Sequence, residues 1–235
     1  MNTLFCADIG TSSLKAALFD FTGQPLAFAR VQLDSCCADF GAGKWFSALK
    51  KAFSLCASDS ALRDFTVDAI CISGNGPTLC GRDGQTLLWN ADIGTGIESE
   101  TATRGKSLYI PRILGFAKKF EDYWKAKECT VFSGPEYLIY LLTGNALSIL
   151  PEKRYLETYW TVEGFEQAGL SSLQAEQVLK RLPPFASPAS RAGTLTSSAA
   201  DFFNEGTDSS SMALSIKAGI PVICGAPDFI SALVG

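Results

Sequence analysis

The sequence predicts an α/β domain, and three observations lead to that prediction. Hydrophobic residues make up 47% of the 235 positions and charged residues 19%, which excludes a disordered tail, a coiled coil and a collagen-like repeat. The first third of the chain consists of short apolar runs separated by tight turns, which is typical of an antiparallel meander. Further along, apolar runs alternate with segments of helical periodicity, which indicates an α/β fold.

Each element follows from local pattern. Trp45, Leu49, Phe53 and Cys56 recur on one face of a predicted helix. The run 67–73 is almost continuously apolar, which suits a strand buried on both faces. The predicted strands are 3–9, 14–20, 25–32, 67–73, 86–90 and 220–224. The predicted helices are 45–56, 111–120, 135–142 (closed by Gly144), 170–182, 199–206, 212–218 and 229–234. The stretches 74–83, 91–109 and 182–196 are predicted as loops and connections, and 145–163 is ambiguous.

Composition excludes several classes of protein. There are 20 Lys and Arg against 24 Asp and Glu, a net charge of −4, which argues against a nucleic-acid binder. The absence of histidine excludes Ser-His-Asp and Cys-His catalysis and His-ligated zinc. No 18 apolar residues run together and the N-terminus lacks a signal-peptide pattern, so no membrane segment is expected.

The eight cysteines show no Cys-x-x-Cys spacing, which leaves a zinc ribbon or a thioredoxin-like site without support. Cys6, Cys71 and Cys224 lie inside apolar runs, where a free cysteine behaves as a small hydrophobe. The neighbours Cys36 and Cys37 are interpreted as an accident of a loop rather than a redox site. A reduced, cytoplasmic chain is therefore expected, although the even count of cysteines permits disulfides.

Three loops, each following an apolar strand, carry candidate chemistry. In the first, Asp8 could hold Mg²⁺ and the turn up to Lys15 could receive phosphate oxygens, but an ordinary hairpin explains the pattern as well. The second, 73–78, has two glycines that let a ligand approach the backbone, or it is a plain turn. In the third, Asp228 either caps a helix or accepts a proton from a bound alcohol.

Taken together and in order, these segments resemble the N-terminal half of the FGGY carbohydrate kinases, members of the actin, hexokinase and heat-shock ATPase superfamily. The resemblance covers nearly the whole chain, and the ordered set of segments is specific although each segment by itself is weak. The similar segments are DIGTSSLK (8–15), DFGAGKWFSAL (39–49), ICISGNGPTLCGRDG (70–84), LLWNAD (87–92), GPEYLIYLLTG (134–144), LPPFASPASRAGTLT (182–196) and GIPVICGAPDFISALVG (219–235).

The resemblance implies a ribonuclease-H-like fold, a mixed sheet flanked by helices, and transfer of the γ-phosphoryl group of ATP to a sugar or polyol hydroxyl. By position, Asp228 would be the general base and Asp8 would hold Mg²⁺. The residues implied for nucleotide binding are Asp8, Gly10, Thr11, Ser12 and Lys15. Those implied for the sugar or polyol are Asn75, Gly76, Pro77, Thr78, Trp89 and Asp228.

The sequence departs from the family pattern in several places. The family often has Trp-x-Asp-x-Arg where this chain has Trp89-Asn-Ala-Asp-Ile, so the aspartate is displaced and the arginine is missing. Thr78 replaces a histidine of the xylulokinase-like loop, and the Arg-Glu pair of the glycerol kinase loop is absent. The identity of the substrate therefore stays open.

Residues 1–235 are expected to form one domain of a longer protein, because the last helical pattern stops within two turns and the family's second, nucleotide-binding domain is missing. Without that partner domain, little turnover is expected. Two other functions stay open: a non-catalytic sugar-binding or regulatory module of the same fold, and a structural ATPase of the actin or chaperone kind. The oligomeric state is not readable from the sequence, so a homodimer stays open as well.

Overall fold

The computed structural model describes residues 2–33, 41–62, 65–74, 76–93, 106–205 and 214–228. The strands are β1 (Asn2–Ile9), β2 (Ser13–Asp20), β3 (Pro25–Gln32), β4 (Thr66–Gly74), β5 (Leu79–Gly81), β6 (Thr86–Leu87), β7 (Val131–Ser133), β8 (Ser148–Ile149), β9 (Phe185–Ala186), β10 (Arg191–Thr194) and β11 (Pro221–Pro227). The α-helices of these residues are α1 (Gly43–Ala57), α2 (Ile110–Lys119), α3 (Glu121–Lys125), α4 (Gly134–Thr143), α5 (Val162–Gln167), α6 (Ser172–Leu179) and α7 (Ser197–Asn204). Short 3-10 helices cover Ser60–Leu62 and Lys153–Thr158.

The principal sheet has six strands in the order β10-β11-β4-β1-β2-β3. β1, β2 and β3 form the predicted antiparallel meander. β4 and β11 run parallel to β1, whereas β10 pairs antiparallel to β11. The sheet is therefore mixed, and the α/β prediction is confirmed.

The main core lies between this sheet and a layer of three mutually contacting helices, α1, α4 and α7. The predicted face of α1 is buried as expected. At the centre, the Phe5 ring of β1 packs edge-on against Phe53 of α1 and Phe203 of α7, with centroids 5.2 and 6.3 Å away. Edge-to-face pairs of this kind add to the free energy gained from burying the rings.

A second core forms around the small sheet β6-β5-β7 and the helices α2, α5 and α6. The strands β5 and β7 belong to both cores because their side chains alternate between the two faces. Cys80 and Phe132 pack into the main core, whereas Leu79 and Val131 pack into the second. This alternation joins the two cores.

Several predicted elements differ from the structure. β4 is central but buried fully on one face only, since Cys71 and Ser73 on the other face are half-buried. The strand predicted over 86–90 is limited to β6, and the predicted connection 182–196 contains β9 and β10. Residues 214–218 are not helical, whereas 212–213 and 229–234 lie outside the described residues.

The physical reasons for these differences are local. β5, β7, β8 and β9 have two or three residues each, too few for a period to show in the sequence. The helix predicted over 170–182 begins instead at Ser172, because Ser171 and Gln174 form a capping box, and it ends at Leu179. The helix predicted over 135–142 ends at a left-handed Gly144, as expected.

All six cysteines of the described residues are free, and the pair Cys36 and Cys37 lies outside them. Within the described parts of the chain, no helix is both long and apolar enough to cross a lipid bilayer.

We expect Gly225→Ala to destabilise the fold, because β11 approaches β4 too closely for a side chain there. A methyl group at Gly225 would collide with the carbonyl oxygen of Ile72 and lie 2.7 Å from its carbonyl carbon. Overpacking of this kind costs about 1–3 kcal/mol in the free energy of unfolding, measurable by urea titration.

Gly43→Ala is the matched control, since a methyl group at the first residue of α1 has no atom within 4 Å. Its expected effect lies between no change and a gain of about 1 kcal/mol in stability. Equal stability of the two variants would contradict the close approach of the strands.

Candidate functional site

Three parallel strands bring the three predicted loops to one edge of the sheet. In the register of the sheet, Asp8 of β1 lies opposite Ser73 of β4, and Gly74 lies opposite Pro227 of β11. The Ser73 hydroxyl donates a hydrogen bond to the carbonyl of Ala226, which ties β4 to β11. The carboxyl ends of parallel strands are where α/β sheets bind ligands, and this edge is therefore the candidate site.

The hairpin between β1 and β2 forms the first side of the site. Asp8 and Lys15 face each other in the β1–β2 register, with Lys15 Nζ 3.9 Å from Asp8 Oδ2. The Gly10 amide donates to the carbonyl of Ser13 at 3.0 Å, so Gly10 shapes the turn with its own backbone. Thr11 is half-buried and Ser12 is exposed at the tip. The turn therefore presents hydroxyls and one ammonium group at this edge of the sheet.

Asp228 follows β11 directly, and its side chain is exposed. Burial raises the pKa of Asp8 above its usual range, and the nearby Lys15 ammonium opposes this rise. The negative charge of Asp228 adds to the rise, so the two carboxylates interact. Two carboxylates whose charges repel each other across a cleft attract a cation. Asp8 and Asp228, predicted from separate loops, thus belong to one electrostatic unit.

The loop at residues 76–78, called the acceptor loop below because the resemblance implies that it binds the sugar or polyol, forms the third side. Gly76 and Pro77 are half-buried and Thr78 is fully buried, whereas Asn75 lies outside the described residues. The Thr78 hydroxyl accepts a hydrogen bond from the Trp89 amide at 3.0 Å. The Trp89 indole, 45% exposed, donates to the Thr11 hydroxyl at 2.9 Å. Trp89 therefore links the acceptor loop to the hairpin turn.

Sequence reasoning missed Arg112, which holds this tryptophan in place. Its guanidinium donates to the carbonyls of Leu88 and Ala91 at 3.1 and 2.6 Å, and also to the carbonyl of Trp89. The family pattern often has an arginine a few residues after Trp89, and this sequence lacks it there, but α2 supplies Arg112 from a different part of the chain. The Pro-Arg pair in the first turn of α2 is the signal that could have indicated it.

Glu136 was missed as well. It lies in the first turn of α4, is 3% exposed, and accepts a hydrogen bond through Oε1 from the Ile149 amide at 2.7 Å. Its Oε2 is buried and forms no hydrogen bond. Burial raises the pKa of Glu136 to about 7, against the hydrogen bonds to backbone amides. A carboxyl group within an otherwise apolar helix was the available signal.

The residues present at this edge fit Mg²⁺ with phosphate, judged from their own chemistry. Asp8 offers one carboxylate, and Lys15, Thr11 and Ser12 offer an ammonium group and hydroxyls. Within the described ranges, no three acidic or cysteine side chains cluster closely enough to hold a metal ion by themselves. Mg²⁺ keeps several waters and is bound through one or two carboxylates plus phosphate oxygens, a set to which Asp8 contributes a carboxylate.

The sequence matches no protein-family model and no curated protein sequence. Solved structures do match. The ligand-bound xylulose kinase from Lactobacillus acidophilus superposes with a TM-score of 0.72 at 16% identity, over 99% of this chain and 50% of that one. Plasmodium falciparum glycerol kinase with ADP gives a TM-score of 0.72 at 14% identity, over 100% of this chain and 50% of that one. Xylulose kinase from Rhodospirillum rubrum gives 0.70 at 18% identity, over 98% and 51%.

This chain thus spans about half the length of the kinases it is similar to. At these identities the likeness concerns the fold. The resemblance to carbohydrate kinases that the sequence motifs indicate is confirmed at that level: the chain has the α/β fold that these kinases share over about half of their length.

We expect Glu136→Gln to change how stability depends on pH. Between about pH 4.5, where an ordinary glutamate ionises, and about 7, the folded chain keeps the Glu136 proton while the unfolded chain loses it. The contribution of Glu136 to the free energy of unfolding is therefore fully present below pH 4.5. It is lost as pH rises to 7, and the loss is about 3 kcal/mol. Glutamine can still accept the Ile149 hydrogen bond and carries no charge, so the variant should lack this decline.

The measurement is urea unfolding from pH 4.5 to 8, with Glu163→Gln as control because Glu163 is exposed on α5. The control should follow the natural protein across the range. A Glu136→Gln curve parallel to the natural one would show that Glu136 does not titrate differently in the folded chain.

Proposed function

We propose that this chain is the acceptor-side half of an ATP-dependent carbohydrate kinase, which phosphorylates a hydroxyl group of a sugar or polyol. The observation that carries the proposal is the meeting of Asp8, Lys15 and Asp228 at the carboxyl ends of two parallel strands. The kinase-like fold supports it. We assign the fold to the ribonuclease-H-like class, with residues 1–235 as one domain and the nucleotide-binding domain outside it.

Each residue has a distinct role in this proposal. Asp228 is exposed at the end of β11 and takes the proton of the attacking hydroxyl as general base. Asp8 holds Mg²⁺ through water, and Lys15 with the Thr11 and Ser12 hydroxyls binds phosphate oxygens. Mg²⁺–ATP, when bound, supplies the phosphoryl group and neutralises its charge. Positioning and charge neutralisation account for most of the catalysis in such transfers.

The acceptor is bound by the loop at Asn75, Gly76, Pro77 and Thr78 and by Trp89. The Trp89 side chain is 45% exposed and combines a large apolar ring with a polar N–H, so it can pack against the C–H groups of a sugar or polyol. Thr78 contributes through its hydrogen bond to the Trp89 backbone, so it positions the ring. Loss of water from the cleft requires closure of a second domain.

A non-catalytic sugar-binding module is the second candidate, and one observation favours it. The Trp89 indole occupies a hydrogen bond of Thr11, so an acceptor residue and a phosphate residue bind each other. In a binding module this contact would be permanent. In a kinase, the Thr11 hydroxyl would accept from the Trp89 indole and donate its own proton to a phosphate oxygen at the same time. Sugar binding without ATP consumption by the full-length protein would establish the module.

We expect Asp228→Asn to lower the turnover of the full-length protein by about 10²–10⁴-fold, because the amide cannot accept the proton. The assay is ATP consumption against a panel of ketoses and polyols. The KM for the acceptor should change little, since asparagine has the same shape.

Asp201→Asn is the control: Asp201 is exposed on α7, away from the site. Full activity in Asp228→Asn would overturn the role of Asp228 as base. If the natural full-length protein consumes no ATP with any acceptor, the kinase proposal itself fails.

A further inference from the structure

A buried aromatic group stands directly behind the acceptor loop. Tyr109, which precedes α2, is 6% exposed. Its ring stacks on Tyr159 with centroids 4.7 Å apart and meets Trp160 edge-on at 5.4 Å. Both neighbours are themselves buried. Tyr109 therefore has little freedom to turn away from the position it occupies.

The hydroxyl end of Tyr109 is pressed against the loop. A methyl group at Gly76 would collide with the Tyr109 hydroxyl and lie 3.3 Å from Cζ. Burial raises the pKa of Tyr109, and the negative charges of Glu136 and Asp228 contribute to the rise. The Tyr109 hydroxyl therefore lies against the acceptor loop, and the charges of Glu136 and of the proposed base Asp228 act on it.

Several buried polar atoms of the described residues have no hydrogen-bond partner. Glu136 Oε2, the Tyr159 hydroxyl and Ser148 Oγ are all buried and form no hydrogen bond. The Tyr159 ring, which carries one of these hydroxyls, stacks directly on Tyr109. Leaving such atoms unpaired costs stability. A carboxyl group and hydroxyls can both donate and accept, which matches the hydroxyl groups of a neutral polyol.

We propose that Tyr109 is a specificity-determining residue, a wall that keeps the site shallow and selects short polyol acceptors. This inference rests on the proposed kinase function. Tyr159 and Trp160 are positioning residues that hold the wall. Removal of the Tyr109 ring opens a path to the unpaired oxygens of Glu136 and Tyr159, which then bind the extra hydroxyls of a longer acceptor.

The first experiment measures dissociation constants of the full-length protein for glycerol, erythritol, xylitol and sorbitol, each one carbon longer than the one before. In the natural protein, affinity should fall with length. In Tyr109→Ala, the preference for glycerol over xylitol should drop about tenfold or more, the size of effect that filling or opening a pocket has on selectivity.

Tyr155→Ala is the control, because it also removes a tyrosine that packs on the second core, but outside the site. Its preference should equal that of the natural protein. An equal preference for glycerol over xylitol in Tyr109→Ala and in the natural protein would overturn the proposed role of Tyr109. Tight binding of xylitol to the natural protein would overturn it as well. If no acceptor of any kind binds to the natural protein, the proposed function fails, and this inference with it.

A second measurement tests the contact between Tyr109 and Gly76 without any ligand. It does not use Tyr109→Ala, so it can be made even if that variant folds poorly. Gly76→Ala should lower the urea midpoint of the natural protein, because the new methyl group meets the Tyr109 hydroxyl. In Tyr109→Phe that hydroxyl is gone, and the same substitution should lower the midpoint by much less. An equal loss in both backgrounds would show that the Tyr109 hydroxyl is not against Gly76.

Discussion

The close approach of three parallel strands is the constraint on which the site depends. β4 lies between β1 and β11, and two positions at this edge have no room for a side chain. A methyl group on Gly74 would meet Ile9 of β1 at 2.8 Å, and one on Gly225 would collide with Ile72 of β4. Because both positions are glycine, the strand ends converge and bring Asp8 within electrostatic reach of Asp228. A wider sheet edge would separate the two carboxylates.

The rest of the architecture supports that edge from two sides. The layer of α1, α4 and α7 covers one face of the principal sheet, and the Phe5, Phe53 and Phe203 rings meet at its centre. The second core lies next to the acceptor loop, since Leu79, the residue after Thr78, packs into it. Since β5 and β7 contribute residues to both cores, the acceptor loop that precedes β5 is anchored to both. The relative position of acceptor loop and strand ends is thus set by packing.

Polar groups near the cleft divide into two kinds. Asp8, Lys15 and Asp228 are half-buried or exposed, so they keep access to water and to charged ligands. Glu136 and Tyr159 are buried and only partly hydrogen-bonded. Burial favours the neutral form of the Glu136 carboxyl group, which therefore keeps its proton toward neutral pH. In the proposed function, the first group binds phosphate and metal, whereas the second group stays behind Tyr109 and would meet neutral hydroxyl groups only when that ring is removed.

The sequence by itself determined the elements whose apolar residues recur at a regular spacing or whose ends are marked by turn residues. The meander β1–β3, the helix α1 and the end of α4 at Gly144 all follow from apolar spacing and turn residues. The ordered motifs also indicated the kinase-like fold that the solved structures share. These features depend on neighbours within a few residues, and local pattern is sufficient to predict them.

Only the tertiary structure decided what stands around the site. Arg112 reaches the turn at Trp89 from α2, and Tyr109 meets Gly76 from 33 positions along the chain. Glu136 becomes a buried carboxyl group with a raised pKa because of the elements packed around it. Contacts between distant segments leave no periodic signal in the sequence. They arise when the two cores pack together, and they fix the positions of Trp89 and of the acceptor loop.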